Sequence, residues 1–293
     1  MTGRVLGVDV SGWQGQMDWL KAARAGAWFA FIKASEGVGG TDSTFATNWA
    51  NSRGLVLRGA YHFYRAGQDP VAQADHFADV VLGTNDPGDL PPVLDLEVDG
   101  VTWDDVVAFM DRLQSRVERE PILYTSKGVT DPMGPPPRTW PLWVANYGVP
   151  QPYLPQGWDA WLFWQFTDQG PGRQFGAASQ RIDQNWFSGS LRDLFTLAGM
   201  DTAEAAWWRV GRLERLMGVS TGPDPEPSPE PEQRKITVWL LRVRSGPGLG
   251  YDTVDMLRKG AVVSVYETRA GDGLEWGRIG DNRWIALAYT EPV

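Results

Sequence analysis

The 293-residue sequence predicts an α/β fold: a degenerate TIM-like (β/α) barrel with eight strands and fewer helices, followed by a small all-β barrel domain. Two observations predict this fold. Residues 1–200 alternate strand-like and helix-like segments, which is typical of a parallel sheet, and eight strands permit closure into a barrel. Residues 234–293 instead show short alternating strand patterns separated by Gly, Asp and Asn, as in small β-barrels.

Eight apolar segments bounded by turn residues are the predicted barrel strands. They are residues 4–10, 28–34, 58–64, 92–97, 121–125, 141–146, 161–166 and 181–183. Helical patterns fill the early intervals at 17–25, 43–53, 70–82 and 103–119. The last of these has Thr102 as N-cap and Asp105 three residues on, a capping-box arrangement. Later intervals are rich in Pro and Trp, so the later helices are expected to be short or missing.

The chain is predicted to divide into four parts. Residues 1–200 form the barrel, 201–217 an amphipathic helix that docks on the barrel or leads into a linker, 218–233 that linker, and 234–293 the small domain. Alternating Pro and acidic residues cannot form a packed core, so the linker is expected to be stiff and extended. Residues 234–293 hold 9 basic and 7 acidic side chains, within a chain of net charge −9. Only this domain is positive, which suits an anionic surface.

Composition excludes several classes of chemistry. The chain has no Cys and two His, so it has no disulfides or cysteine nucleophile, and little with which to build a zinc site. Both histidines, His62 and His76, lie in apolar strand or helix patterns and are expected to be structural. The net charge argues against a nucleic-acid partner. No apolar run reaches the length of a membrane span, and we expect neither a metal nor another cofactor.

The tripeptide Asp95-Leu96-Glu97 is the leading catalytic candidate. It ends a predicted buried strand, on which residues i and i+2 point to the same face, so the two carboxylates are expected to lie side by side. Mutual repulsion and desolvation should raise the pKa of one of them. A carboxylic acid that stays protonated near neutral pH can act as a general acid.

Acids recur at the predicted strand ends, where barrel enzymes place their catalytic groups. Asp9 ends the first strand and Asp183 the eighth, joining Asp95 and Glu97. Aromatic and amide side chains near other strand ends are the expected substrate contacts: Tyr61, Tyr124, Trp143 and Gln165. Four carboxylates could hold Mg²⁺ or Mn²⁺. The aromatic rim fits a sugar better, and some of the 16 Trp are expected to form platforms for sugar rings.

These motifs resemble glycoside hydrolase family 25, the Chalaropsis-type lysozymes or N-acetylmuramidases. The resemblance is carried, in order, by DVSGWQG, FIKASEG, GAYHFY, PVLDLE, ILYTS, LWVANY, FWQFT and IDQNWF, over about residues 4–190. It implies an eight-stranded barrel that cleaves the β-1,4 bond between N-acetylmuramic acid and N-acetylglucosamine in peptidoglycan. By position it implies that Glu97 is the general acid/base and Asp95 the second essential carboxylate. In that role, Glu97 is expected to hold a proton before substrate binds. Asp9 and Asp183 would flank them, with Tyr61 near the cleaved sugar; Glu36 also matches, and is interpreted as a supporting residue.

Residues 234–293 resemble a bacterial Src-homology-3-like wall-binding domain, through LRVRSGPGLGYDTVDMLRKGAVVSVYE and WGRIGDNRWIALAYTEP. A frequent Asn of that motif is Arg242 here. Together the two resemblances imply a modular, wall-targeted peptidoglycan hydrolase. No secretory signal peptide is recognisable, so we expect a phage or prophage endolysin, made in the host cytoplasm and acting on the wall after release. A bacterial autolysin is the second choice.

Two questions stay open at the level of sequence, the function and the mechanism. The chain could be another D-x-E glycosidase, such as a chitinase or endo-N-acetylglucosaminidase, or a non-catalytic wall-binding protein. The mechanism could use the substrate's own 2-acetamido group as nucleophile, with Asp95 orienting it. It could instead invert the anomeric centre, with Asp183 or Asp9 activating a water. Asp95 is a poor classical nucleophile, because neighbours on one strand cannot flank the anomeric carbon from opposite faces.

Overall fold

The computed structural model describes residues 4–81, 88–218, 232–280 and 283–293. The chain divides into two compact units, residues 1–219 and 220–293. Most of the predicted linker, residues 219–231, lies outside the described residues.

The first unit is a closed barrel of eight strands. All eight predicted strands are confirmed, and one short strand, β3, is added beside β2. The strands are β1 Val5–Val10, β2 Phe29–Glu36, β3 Gly40–Thr41, β4 Leu57–Phe63, β5 Val93–Asp95, β6 Ile122–Ser126, β7 Leu142–Ala145, β8 Phe163–Pro171 and β9 Arg181–Phe187. Neighbouring strands pair in the order β1-β2-β4-β5-β6-β7-β8-β9, and β9 returns to pair with β1.

The barrel is mixed, which corrects the expected parallel sheet. Strands β1 to β8 run parallel to their barrel neighbours, but β9 is antiparallel to both β8 and β1. A turn rather than a helix joins β8 to β9, so the chain reverses direction there. The start of β9 therefore lies at the barrel end where the parallel strands finish, and this end is called the mouth below.

Helices cover the outside of the barrel. They are α1 Trp19–Arg24, α2 Phe45–Ser52, α3 Pro70–Val81, α4 Trp103–Val117, α5 Lys127–Thr130, α6 Leu191–Leu197 and α7 Thr202–Met217, with a 3₁₀ turn at Asp131–Met133. The four predicted early helices are present, and the Thr102–Asp105 capping box of α4 is confirmed. In α7, Arg212 donates hydrogen bonds to the carbonyl oxygens of Leu55, Ala23 and Ala27, so this helix docks on the barrel.

The barrel interior is packed with aromatic rings. Phe29, Phe31 and Phe163 contact one another with ring centroids 5.0–6.0 Å apart. Gly7 and Gly59 make room for them, since a Cβ atom would lie 2.4 Å from the Phe29 ring at Gly7 and 2.5 Å from the Phe31 ring at Gly59. A filled interior leaves the barrel mouth as the place for a substrate site.

The second unit is all-β, as predicted. Its strands are β10 Glu232–Ile236, β11 Leu240–Arg244, β12 Thr253–Arg258, β13 Val262–Val265, β14 Glu267–Gly271, β15 Leu274–Gly280, β16 Arg283–Ala286 and β17 Thr290–Pro292, with a 3₁₀ turn at Leu287–Tyr289. They form one antiparallel sheet of three strands and one of five. Ile236, Val243 and Ile285 are buried in its core. Within the described residues of both units, no helix is long and apolar enough to cross a membrane.

Candidate active site

The four predicted carboxylates come together at the barrel mouth. Asp9 on β1 and Asp183 on β9 are direct cross-strand partners, a register that places their Cα atoms about 5 Å apart. Asp95 is the last residue of β5, and Glu97 follows in the loop. The charge of Glu97 raises the pKa values of Asp9, Asp95 and Asp183, which shows that the four groups form one electrostatic cluster.

Asp95 and Glu97 form a hydrogen-bonded pair with unequal exposure. Asp95 is 5 % exposed, whereas the Glu97 side chain is exposed. Burial, followed by the charge of Glu97, raises the pKa of Asp95 well above its usual range. The prediction that one of the two has a raised pKa is confirmed. The sequence predicts the resting proton on Glu97; the structure gives the raised pKa to Asp95, because Asp95 is the buried member.

One carboxyl oxygen of Asp95 makes no hydrogen bond with the described residues. Its Oδ1 atom is buried and has no hydrogen-bond partner within the described part of the chain. A buried acceptor without a donor is costly, and in a native site it marks a place for a ligand or a water. The orphaned oxygen therefore points to a donor group that the substrate supplies.

Asp9 and Asp183 form a second pair, in which both pKa values are raised by burial. Two amide groups donate to Asp9 Oδ2: Gln165 Nε2 at 2.9 Å and Asn185 Nδ2 at 2.7 Å. These donors hold the pKa of Asp9 to about 6 although the carboxylate is buried. Burial and then the charge of Asp9 raise the pKa of Asp183 to about 8.

The predicted substrate contacts line the inner wall of the site. Tyr61, Tyr124, Trp143 and Gln165 are all buried. The Tyr124 hydroxyl donates to Gln165 Oε1 at 2.8 Å, and the Trp143 ring stacks on Phe31 with centroids 4.5 Å apart. Burial and the charges of Asp9 and Asp95 raise the pKa of Tyr61 well above its usual range, which places its hydroxyl beside the carboxylates.

Sequence reasoning missed two residues of this wall. Tyr147 donates its hydroxyl to Gln165 Oε1, and Asn185 donates to Asp9. Both lie inside quoted motifs, LWVANY and IDQNWF. Asn185 could have been found, because it lies two residues after Asp183 on one strand and therefore points to the same face.

Exposed aromatic side chains rim the mouth. Trp13, in the loop after β1, is 88 % exposed. Tyr147 and Tyr153, which follow β7, are also exposed. Flat apolar faces of this kind pack against sugar rings, whose hydroxyls are then read by polar groups.

Glu36 is held by two cations at the end of β2. Lys33 Nζ lies 2.6 Å from Glu36 Oε2, and Arg65 Nη2 lies 3.1 Å from Glu36 Oε1. The hydrogen bond from Lys33, followed by the one from Arg65, lowers the pKa of Glu36. A carboxylate kept ionised in this way is a poor proton donor, which agrees with its interpretation as a supporting residue.

The donor set does not favour a metal ion. Across the described ranges, no three His, Asp or Glu side chains are arranged to hold one. The carboxyl groups at the mouth instead bond to each other and to amide N–H groups.

Paired carboxyl groups at the open end of a barrel with an aromatic rim are typical of a glycoside hydrolase. Residues 8–174 match the sequence profile of Glycosyl hydrolases family 25. The match spans more than half of the chain, and the chain belongs to this family.

Similar proteins of known activity and a similar solved structure support this assignment. Lysozyme M1 of Streptomyces globisporus is 36 % identical over an alignment of 217 positions, which covers 67 % of this chain and 72 % of the relative. The N,O-diacetylmuramidase of a Chalaropsis species is 31 % identical over 66 % of this chain and 99 % of its own length. The crystal structure of a bacterial lysozyme from Streptomyces coelicolor superposes with a TM-score of 0.60 at 33 % identity, covering 68 % of this chain and 98 % of that one. The chain is a lysozyme-type glycoside hydrolase, a peptidoglycan muramidase.

Proposed function

We propose that the first unit cleaves the β-1,4 bond between N-acetylmuramic acid and N-acetylglucosamine, with Glu97 as proton donor to the leaving oxygen. The observation that carries this proposal is the hydrogen-bonded pair of buried Asp95 and exposed Glu97 at the mouth. Burial keeps a proton on the pair at neutral pH, and Glu97 is the member that reaches the substrate. Such a pair titrates as a unit, so the proton can pass from Asp95 through Glu97 to the substrate.

The substrate's 2-acetamido group is the nucleophile in this proposal. Its carbonyl oxygen bonds to the anomeric carbon while the bond to the leaving oxygen breaks, and Glu97 protonates that oxygen. Asp95 Oδ1, which has no donor among the residues that the structure describes, accepts the acetamido N–H. As the proton leaves the pair, Asp95 becomes ionised and stabilises the positive charge on the acetamido group. Water, deprotonated by Glu97, then attacks the anomeric carbon and releases the acetamido oxygen.

The mouth offers the sugar both aromatic and polar contacts. Tyr61, Tyr124, Trp143 and Gln165 form the inner wall, and Tyr61 lies beside the carboxylates. Exposed Trp13 and the tyrosines that follow β7 extend the binding surface outward. Asp9 and Asp183 flank the reacting centre, and ionised Asp9 stabilises the positive charge that develops there.

We further propose that the second unit binds the cell wall and raises the local concentration of substrate around the barrel. Residues 234–293, with 9 basic and 7 acidic side chains, suit an anionic wall, and they expose aromatic side chains, with Trp239 83 % exposed and Tyr251 50 % exposed. The protein would be a phage or prophage endolysin, made in the host cytoplasm and acting on the wall after release. A bacterial autolysin is the alternative context.

Muropeptide analysis tests the reaction. Purified walls are digested and the products are identified by mass spectrometry, and we expect muramic acid at the reducing ends. N-acetylglucosamine at the reducing ends would point to an endo-N-acetylglucosaminidase or chitinase-type activity. An intact wall would point to a non-catalytic wall-binding protein.

Glu97→Gln tests the acid assignment in a turbidity assay with the same walls. We expect a loss of at least about 100-fold, the usual contribution of a general acid. Glu120→Gln is the matched control, because Glu120 is exposed and precedes β6 at the other end of the barrel. Near-wild-type clearing by Glu97→Gln would overturn the role of Glu97.

A further inference from the structure

Asn185 is a fully buried amide on β9, two residues after Asp183. Its Nδ2 atom donates to Asp9 Oδ2 at 2.7 Å, and its Oδ1 atom accepts from Trp143 Nε1 at 2.8 Å. It is also the cross-strand partner of Gln165, the second donor to the same Asp9 oxygen. Asn185 therefore links the barrel interior to one carboxylate of the site.

The direction of this hydrogen-bond chain is fixed by chemistry. An indole N–H can only donate, so the group that Asn185 turns to Trp143 must be its carbonyl oxygen. Its NH₂ group must then face Asp9 and donate. Asp9 Oδ2 receives two N–H groups, one from Asn185 and one from Gln165, and a proton on that oxygen would displace one of them.

We propose that Asn185, oriented by Trp143, is a positioning residue that keeps Asp9 ionised and leaves on Asp183 the proton which the two aspartates share. The consequence for catalysis rests on the proposed function: an ionised Asp9 stabilises positive charge at the anomeric carbon. The charge state of Asp9 itself does not depend on which reaction the site performs.

The electrostatics of the pair agree with the hydrogen bonds. Burial raises the pKa of Asp9, and the hydrogen bond from Asn185 is the largest of the effects that lower it. The groups that face Asp9 are Asp183 on β9, Asp95 and Glu97 at the end of β5, Tyr61 on β4, Tyr124 on β6 and Tyr147 after β7. Burial raises the pKa values of the three tyrosines, so none of these hydroxyl groups titrates in the working range.

The test is Asn185→Leu, which removes the donor and keeps the volume. Carbon-13 NMR of the side-chain carboxyl groups follows the titration of Asp9, assigned with Asp9→Asn. We expect the Asp9 midpoint to rise by about one pH unit, the size of shift that one lost hydrogen bond to a carboxylate produces. The acid limb of the pH profile of kcat/KM on soluble glycan fragments should move by the same amount. A midpoint at the wild-type position would overturn the proposal.

Two further variants separate positioning from stability. Trp143→Phe leaves Asn185 in place but removes the indole donor. It should shift the Asp9 titration midpoint in the same direction as Asn185→Leu. If Asn185→Leu does not fold, Trp143→Phe alone tests whether Asn185 sets the charge of Asp9. Gln73→Leu is the matched control, because Gln73 is an equally buried amide on α3 that bonds the backbone of Arg65. It should lower thermal stability without moving the Asp9 midpoint.

The NMR titration is independent of hydrolysis. Retained activity in Glu97→Gln would remove the proposed acid, but the inference about Asn185 would still stand or fall on the Asp9 midpoint. An unshifted midpoint would remove the inference about Asn185 and leave the proposed reaction intact.

Discussion

Asp95 and Glu97 are separated by a single residue in the sequence, yet the boundary between core and solvent runs between their side chains. Asp95 ends β5 and is buried, whereas Glu97 lies in the following loop and is exposed. Their hydrogen bond joins a carboxyl group that burial keeps protonated to one that meets the substrate. Because of this difference in exposure, the two carboxyl groups are assigned different roles.

Replacing Asp95 by Asn should abolish most activity and stabilise the fold. The raised pKa means that folded Asp95 keeps a proton which the unfolded chain releases above about pH 4, so stability falls as pH rises from that point through the folded pKa. An Asn side chain does not titrate, so Asp95→Asn removes this loss of stability at neutral pH. We expect a gain in unfolding free energy at pH 7 and almost none at pH 4, measured by urea unfolding. Exposed Asp99→Asn is the control; equal effects of the two substitutions would contradict the burial argument.

The anomeric configuration of the first product tests whether the substrate's acetamido group is the nucleophile. If the acetamido group attacks first and water second, the anomeric configuration of the first product is retained. Proton NMR of a soluble glycan during the first turnovers should therefore show the β-anomer before mutarotation. An α-anomer would rule out substrate assistance and indicate that Asp183 or Asp9 activates water directly. In that case Asp95→Asn should impair activity less than Asp9→Asn.

His62 should make the protein acid-sensitive. It is buried between Phe77 and Phe109, with Nδ1 2.9 Å from Ser35 Oγ, and burial lowers its pKa to about 4. The folded state needs the neutral ring, so its contribution is complete above pH 6.5 and is lost as pH falls from there through 4. A pKa shift of this size corresponds to a loss of about 3 kcal/mol in the free energy of unfolding as pH falls from 6.5 to 4.

The measurement is the unfolding free energy from pH 7 to pH 4 in His62→Gln. This variant should be less stable than wild type at pH 7, with a difference that shrinks by about 3 kcal/mol toward pH 4. His76→Gln is the control, since His76 bonds the carbonyl oxygen of Gly40 at 2.9 Å from a half-buried position. A constant difference across the range would contradict the assignment of the acid sensitivity to His62.

Removing the second unit tests wall targeting. A chain ending at residue 218 should cleave soluble glycan fragments at the full rate, because the site described above lies wholly within the first unit. On intact walls at low enzyme concentration it should clear at least about 10-fold more slowly, since the tether no longer concentrates it. Co-sedimentation of residues 232–293 with walls is the companion measurement. Equal clearing by both chains would contradict a targeting role.

Apolar patterning placed the barrel strands well, but it could not give their direction. The segment at 181–183 was predicted as a strand whose end carries Asp183, whereas β9 runs from Arg181 to Phe187 and Asp183 lies near its start. Asp183 reaches the mouth because β9 is antiparallel. A strand has the same side-chain period in both directions, so only the connection and its pairing set the orientation.

Eight short apolar segments, the acids beside them and an all-β tail follow from residue order, because periodicity and turn residues are local properties of a chain. Which carboxylate is buried, and which amide holds it, depends on contacts between residues far apart in sequence. Asn185 meets Asp9 across 176 positions and Gln165 meets it across 156. Desolvation and hydrogen bonding set the charge of a group, and both exist only once the barrel has closed. The folded barrel therefore arranges the four acids as two pairs, and the two members of each pair differ in burial.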